Sequence, residues 1–200
     1  MAREDLSYVE ITEFYPYLVT ELNDCPTGLR KQVLRETLVY FQTHSQFWRC
    51  QLYPINIVAN KARYDLEDVP SYAEVLRPYL VKKDNVELKP ELDYTMYSRN
   101  ELELTTTPAV ASSQGLKVWV VLKNTYDADR TWIRIFEDYR YTISEGVLWR
   151  LTGMPGKTWT NLPLSVDHKR EFWDGINRAR AEVNRQNMNL DLNATKKGFV

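Results

Sequence analysis

The sequence predicts an α+β fold: an antiparallel helical bundle of two N-terminal and two C-terminal helices, an inserted and mainly antiparallel β region, and an extended C-terminal tail. Three observations carry this prediction. Apolar residues recur every three or four positions from Trp132 to Leu151 and again from Leu164 to Val183, one stripe of a helix in each case. Between Leu52 and Leu122 the period shortens to two, as side chains alternating across a strand require. After Gln186 the periodicity stops. The predicted organisation is a bundle over 1–50 and 130–187, a β region over 51–129 and a tail over 188–200.

The N-terminal elements come first. Ile11 to Leu22 is short and apolar-rich, and Pro16 within it fits a helix only near the first turn. Asn23-Asp24-Cys25-Pro26 breaks the chain. Thr27 to Trp48 then reads as a firm helix, with Leu34, Leu38, Phe41 and Trp48 on one face. In the β region, Tyr53, Ile55 and Ile57 alternate with Pro54, Asn56 and Val58, and Arg63 to Leu66 is a short strand. Val75 to Val81 contains Pro78, which favours an edge strand or a bulge. Leu92 to Tyr97 alternates, Arg99-Asn100-Glu101 is a hairpin turn, and Leu102 to Leu104 returns. Lys117 to Leu122, apolar on both faces, is the central strand.

The C-terminal pair carries the strongest signals. Trp132, Phe136, Tyr139, Ile143, Val147 and Leu151 form one stripe, and Leu164, His168, Phe172, Ile176, Ala179 and Val183 the other. Gly153 stands where a helix C-cap takes a left-handed backbone, and Pro155 cannot continue a helix. Asn161 and Pro163 supply a cap and a first-turn proline for the next helix. So short a connection, with Gly153, Pro155, Gly156 and Trp159 in it, predicts an αα-hairpin.

Composition bounds the function. A formal net charge of -1 over 200 residues argues against a nucleic-acid binder working by bulk electrostatics. Thirteen Tyr and six Trp suit a protein with interface as well as core. Cys25 and Cys50 have no CxxC partner and are expected as free thiols in a reducing compartment. Met1 to Asp5 lacks the apolar core of a signal peptide, and no run approaches the ~18 apolar residues of a membrane helix. The protein is expected in a cytoplasm or a particle assembled there.

Catalytic patterns are weak. Gly156-Lys157-Thr158 has the end of a phosphate-binding loop, but Leu151 stands where its first Gly belongs. His168 has Phe172, not a ligand, at i+4, and His44 has only Cys50 near it in sequence, too few ligands for zinc. Neither cysteine has a base beside it that sequence can identify. No enzyme, metal or cofactor is expected.

Taken together the pieces resemble the head-to-tail adaptor (connector) proteins of tailed bacteriophages, from about Cys25 to about Arg185. The residues that carry this are Cys25-Pro26 leading a helix into Val39 to Arg49, the strand Tyr64-Asp65-Leu66, Thr106-Thr107-Pro108 before Lys117 to Leu122, and above all Ile143 to Leu151 followed by Met154-Pro155-Gly156-Lys157-Thr158-Trp159-Thr160-Asn161. The resemblance implies a homo-oligomeric ring, usually dodecameric, that docks on the portal protein after genome packaging. Such a ring extends the DNA channel and offers a platform to a downstream tail or nozzle protein. Packaged duplex DNA passes through without specific binding, and no membrane is involved. A C-terminal extension commonly docks on the portal. Here that role falls to Met188, Leu190, Leu192, Lys196, Lys197, Phe199 and Val200, which gain order on binding. The competing readings are another neck or tail-completion protein, a β-sheet ligand-binding module, and an accessory DNA-binding protein using the basic residues of the last helix.

Overall fold

The computed structural model describes residues 7–18, 22 and 24–195, with side chains as far as Arg185. The chain divides into two compact units, Tyr8–Phe47 with Asp129–Val200, and Trp48–Ala128 with the N-terminal residues. The described residues contain four helices, one of them 3₁₀, and ten strands in three antiparallel sheets. The fold is α+β, but it is not a helical bundle carrying a small β insertion. Strands dominate the centre, and one sheet lies inside the helical unit itself.

In that helical unit, strand β1 (Tyr8–Glu10) pairs antiparallel with β10 (Arg130–Trp132). The sequence predicts neither of these three-residue strands, since so short a piece shows no full period. Ile11–Tyr17 is a 3₁₀ helix rather than an α-helix, with Pro16 near its end; the i→i+3 pattern suits so short a piece. Helix α1 (Thr27–Ser45) ends three residues before Trp48, where Gln46 turns left-handed at φ 53° and returns its N–H to the Gln42 carbonyl. Helices α2 (Ile133–Thr152) and α3 (Leu162–Thr195) form the hairpin. Phe41, Tyr139, Ile143, Val147, Phe172 and Ile176 fill the core among the three helices.

The hairpin loop corrects one expectation. Gly153 is right-handed, at φ -77° and ψ -8°. A Cβ there would lie 2.9 Å from Ser165 Oγ and 3.0 Å from the Trp149 carbonyl oxygen, so close approach and not backbone handedness excludes a side chain. The left-handed residue is Gly156, at φ 71°. Asn161 caps α3, its Oδ1 accepting from the Leu164 N–H at 3.2 Å.

The expected extended tail is also corrected, because α3 runs to Thr195. No Gly or Pro stands between Gly175 and Gly198. A helix once nucleated propagates through such a run even when its apolar stripe has ended.

A surface ion cluster closes the start of the helical unit. Asp129 receives Lys31 at 2.8 Å and Arg35 at 2.5 Å, while its carbonyl accepts from Ile11 N–H. The two cations hold its carboxyl below the ordinary aspartate range. Its folded affinity for a proton is thus lower than its unfolded one. The stabilisation is full at neutral pH and is lost as pH falls through the depressed range. Because Asp129 is half exposed, Asp129→Asn is expected to cost less than about 1 kcal/mol and to flatten the acid limb of a stability-versus-pH curve. Equal acid limbs in the two proteins would refute this.

In the β unit, β9 (Ser112–Asn124) pairs with β2 (Arg49–Gln51), β3 (Ile55–Ile57) and β5 (Ala73–Lys83), and β5 pairs in turn with β6 (Val86–Leu88). β9 is the central strand. β5 lies inside the sheet, and Pro78 sits where its register with β9 shifts, so the bulge and not the edge accommodates the missing N–H. The second sheet orders β4 (Arg63–Asp65), β8 (Glu101–Leu104) and β7 (Tyr94–Ser98). Leu116, Val118, Val120 and Leu122 of β9, and Tyr64, Tyr94, Leu102 and Leu104 of the second sheet, are buried. Alternate residues of each strand build the core, and in β9 Val121 of the opposite face is buried as well.

Candidate functional site

The α2–α3 hairpin carries several polar contacts of the helical unit. At its loop end, Thr160 Oγ1 donates to the Met154 carbonyl at 2.5 Å and accepts from the Lys157 N–H at 2.9 Å. These bonds order the loop while Pro155, Gly156 and Lys157 stay exposed and Trp159 is half-buried. Beyond them Leu162 and Val166 are 57% and 68% exposed on successive turns of α3. The loop thus presents a small apolar and basic tip on a rigid support. A phosphate-binding loop it is not: it joins two helices, with no strand before it.

One turn further along, His168 is buried with Nδ1 2.6 Å from Glu145 Oε2. The stripe that carries His168 predicts its burial; the partner on α2 is set by the crossing of the helices. Further along still, Tyr139 is the one residue inside α2 with a non-helical backbone, φ -130°. Its ring packs against Phe41 and Phe47, with centroids 5.1 and 4.8 Å away, and its hydroxyl donates to Glu182 Oε2 at 2.8 Å. Burial first, and then the Glu182 carboxylate, raises the Tyr139 pKa strongly. The phenol stays a donor at any ordinary pH. An open groove of about 560 Å³ lies here, lined by Arg134, Asp138, Tyr139, Tyr141, Thr142, Arg178 and Glu182. Its charges are mixed, two cations against two carboxylates, and Arg134 already pairs with Asp138 at 3.4 Å.

His44 packs between Tyr40, tilted against it, and the edge-on Trp173, and Arg180 donates to its carbonyl at 2.5 Å. Burial, and the charge of Arg180, lower the pKa of its imidazole. Cys25 and Cys50 are buried free thiols, and burial raises the Cys25 pKa, the opposite of what a nucleophile needs. Among the described residues, no three His, Cys, Asp or Glu side chains converge on a metal position. No helix among them is long and apolar enough to cross a membrane.

Of the residues the sequence assigns to portal docking, Met188, Leu190 and Leu192 lie on the last turns of α3 with side chains outside the described set. Lys196, Lys197, Phe199 and Val200 lie outside the described residues altogether. The β unit holds a group that the sequence reading missed. Glu74 of β5 is 7% exposed, bonds Lys123 of β9 at 3.0 Å, and also receives Arg99 from the β7–β8 turn. A glutamate between the apolar residues Ala73 and Val75 was the available signal.

No family model and no curated protein matches this chain.

Proposed function

We propose that this chain is a head-to-tail adaptor of a tailed bacteriophage, a virion protein that docks as a ring on the portal after packaging, extends the DNA channel and carries the tail. The observation that supports the reading best is the length of α3. Its 34 residues span about 51 Å, against about 30 Å for the 20 residues of α2. The hairpin partner is outrun by about four turns, and a helix that long needs another surface along its free end. Met188, Leu190 and Leu192 stand on that end, beyond Val183, the last buried residue among those whose side chains are described. The arm is therefore a docking helix, and the ordered Met154–Asn161 tip at the other end of α3 is available to a neighbouring subunit. The near-neutral formal charge of -1 suits a channel wall past which DNA slides.

Native mass spectrometry of the protein, alone and mixed with the portal of its own phage, tests this. A ring, or one added copy per portal subunit, is the expected result. Deleting residues 188–200 is expected to abolish portal binding while far-UV circular dichroism keeps its shape. Undiminished binding by the truncated chain would remove the arm from the proposal, and a chain that ignores the portal in every form would remove the proposal itself.

A further inference from the structure

The exposed large apolar and aromatic side chains of the described residues differ in their surroundings. Tyr8, Tyr97, Tyr126 and Tyr141 each carry an arginine or lysine over the ring, and Val86 and Leu92 adjoin carboxylates in sequence. Besides Tyr53, the rest are two pairs, Val58 with Val110 and Leu162 with Val166. The first pair belongs to the β unit. Residues 50–60 and 104–116 contain no Asp, Glu, Lys or Arg, in a chain of which 26% is charged. The fold lays these two runs side by side: Ile57 pairs with Ser112, and the Asn60 N–H donates to the Pro108 carbonyl at 2.8 Å. Val58 and Val110, 51% and 77% exposed, lie between the two links, with exposed Ala109 and Ala111 beside Val110. The second pair stands at the tip of the α2–α3 hairpin, where Lys157 is the one charged residue between Leu151 and Val166. Asp167, next to Val166, is answered by Arg170 at 3.4 Å.

Depletion of charge is what sets the centre of a protein interface apart from the rest of a surface. A patch of this kind also selects its partner, because a charge set against it would be desolvated with nothing to pair it. Each of the two places is the uncharged apolar surface that the other requires, and one lies in each unit of the chain. We infer that the α2–α3 tip of one copy docks on the Val58–Val110 patch of the next. The tip is ordered by the Thr160 bonds to Met154 and Lys157, and it carries half-buried Trp159, a residue type that anchors interfaces. Because the two surfaces differ, the contact is head-to-tail, and its repetition closes a ring or continues as a filament. This deepens the adaptor reading, on which ring closure rests, by naming the surfaces through which copies meet.

Two double variants of the full chain test it: Val58→Asp with Val110→Asp, and Leu162→Asp with Val166→Asp. All four positions are exposed, so each variant is expected to keep the native far-UV circular dichroism. Each alone is expected to lose self-association about thirtyfold, measured by sedimentation beside the native chain, with and without the portal. An equimolar mixture keeps one native contact, the intact tip of the first variant against the intact patch of the second. It is expected to form a dimer of the two and nothing larger, which misfolded chains would not do. If the native chain associates and both variants associate equally well, or only one of them is weakened, the two surfaces do not meet, although the ring reading stands. If the variants assemble normally but no longer bind the portal, the altered surface faces the portal and the inference is overturned. If neither the native chain nor the mixture associates, alone or on the portal, both fail.

Discussion

Gly175→Ala lowers the stability of the helical unit by about 3 kcal/mol, the upper end of what one added methyl costs in a filled core. By propensity alone the change should help, since alanine is favoured over glycine inside a helix by about 1 kcal/mol. The crossing of α2 and α3 reverses the sign. A Cβ on Gly175 would stand 2.2 Å from Thr142 Cγ2, 2.4 Å from its Oγ1 and 2.8 Å from its Cβ. Rotating the threonine relieves the first two contacts, but the third can be relieved only by moving the helices apart. Gly146 sits in the same relation to Thr37 and Phe172, at 2.6 and 2.7 Å. The check is denaturant unfolding of Gly175→Ala, Thr142→Ala and the double variant. The double variant should recover part of the loss, a coupling expected only of residues in contact. If Gly175→Ala unfolds at the native midpoint, the two helices are free to separate and the hairpin is not the rigid support the docking arm requires.

Glu74→Ala is expected to cost the β unit about 3 kcal/mol, as removal of one member of a buried ion pair generally does. The carboxylate lies opposite Lys123 in register and also receives Arg99. Lys123 is 18% exposed, so without Glu74 its ammonium is left in a poorly solvated place. Arg99 is 78% exposed and returns to water at little cost. Removing Arg99 by Arg99→Ala should therefore cost less than about 1 kcal/mol, and Lys123→Met in the Glu74→Ala background should restore part of the stability. A Glu74→Ala protein with an unchanged unfolding midpoint would mean that the ion pair is solvated. Arg99 comes from the β7–β8 turn, so loss of Glu74 also frees the hairpin that presents Tyr97.

The stripes of α2 and α3 were legible because a helix repeats its burial every three or four residues. Ile143, Val147, Phe172 and Ile176 are buried where the pattern puts them. The central place of β9 was legible for the same kind of reason, since a strand covered on both sides shows no polar face. What failed was the architecture. Counting apolar helical turns made the helices the frame and the strands an insertion, whereas β1, β2, β6 and β10 are three-residue strands too short to show a period. Their existence depends on partners as far away as the 120 residues that separate Glu10 from Arg130.

Periodicity and capping are properties of neighbouring residues, so the buried faces of α2 and α3 and the short loop between them could be read from the chain alone. Why Gly153 and Gly175 are glycines, and which carboxylate meets His168 and Tyr139, became visible in the fold. Those facts are made by helix crossings, which set a distance between residues that nothing in their local sequence brings together.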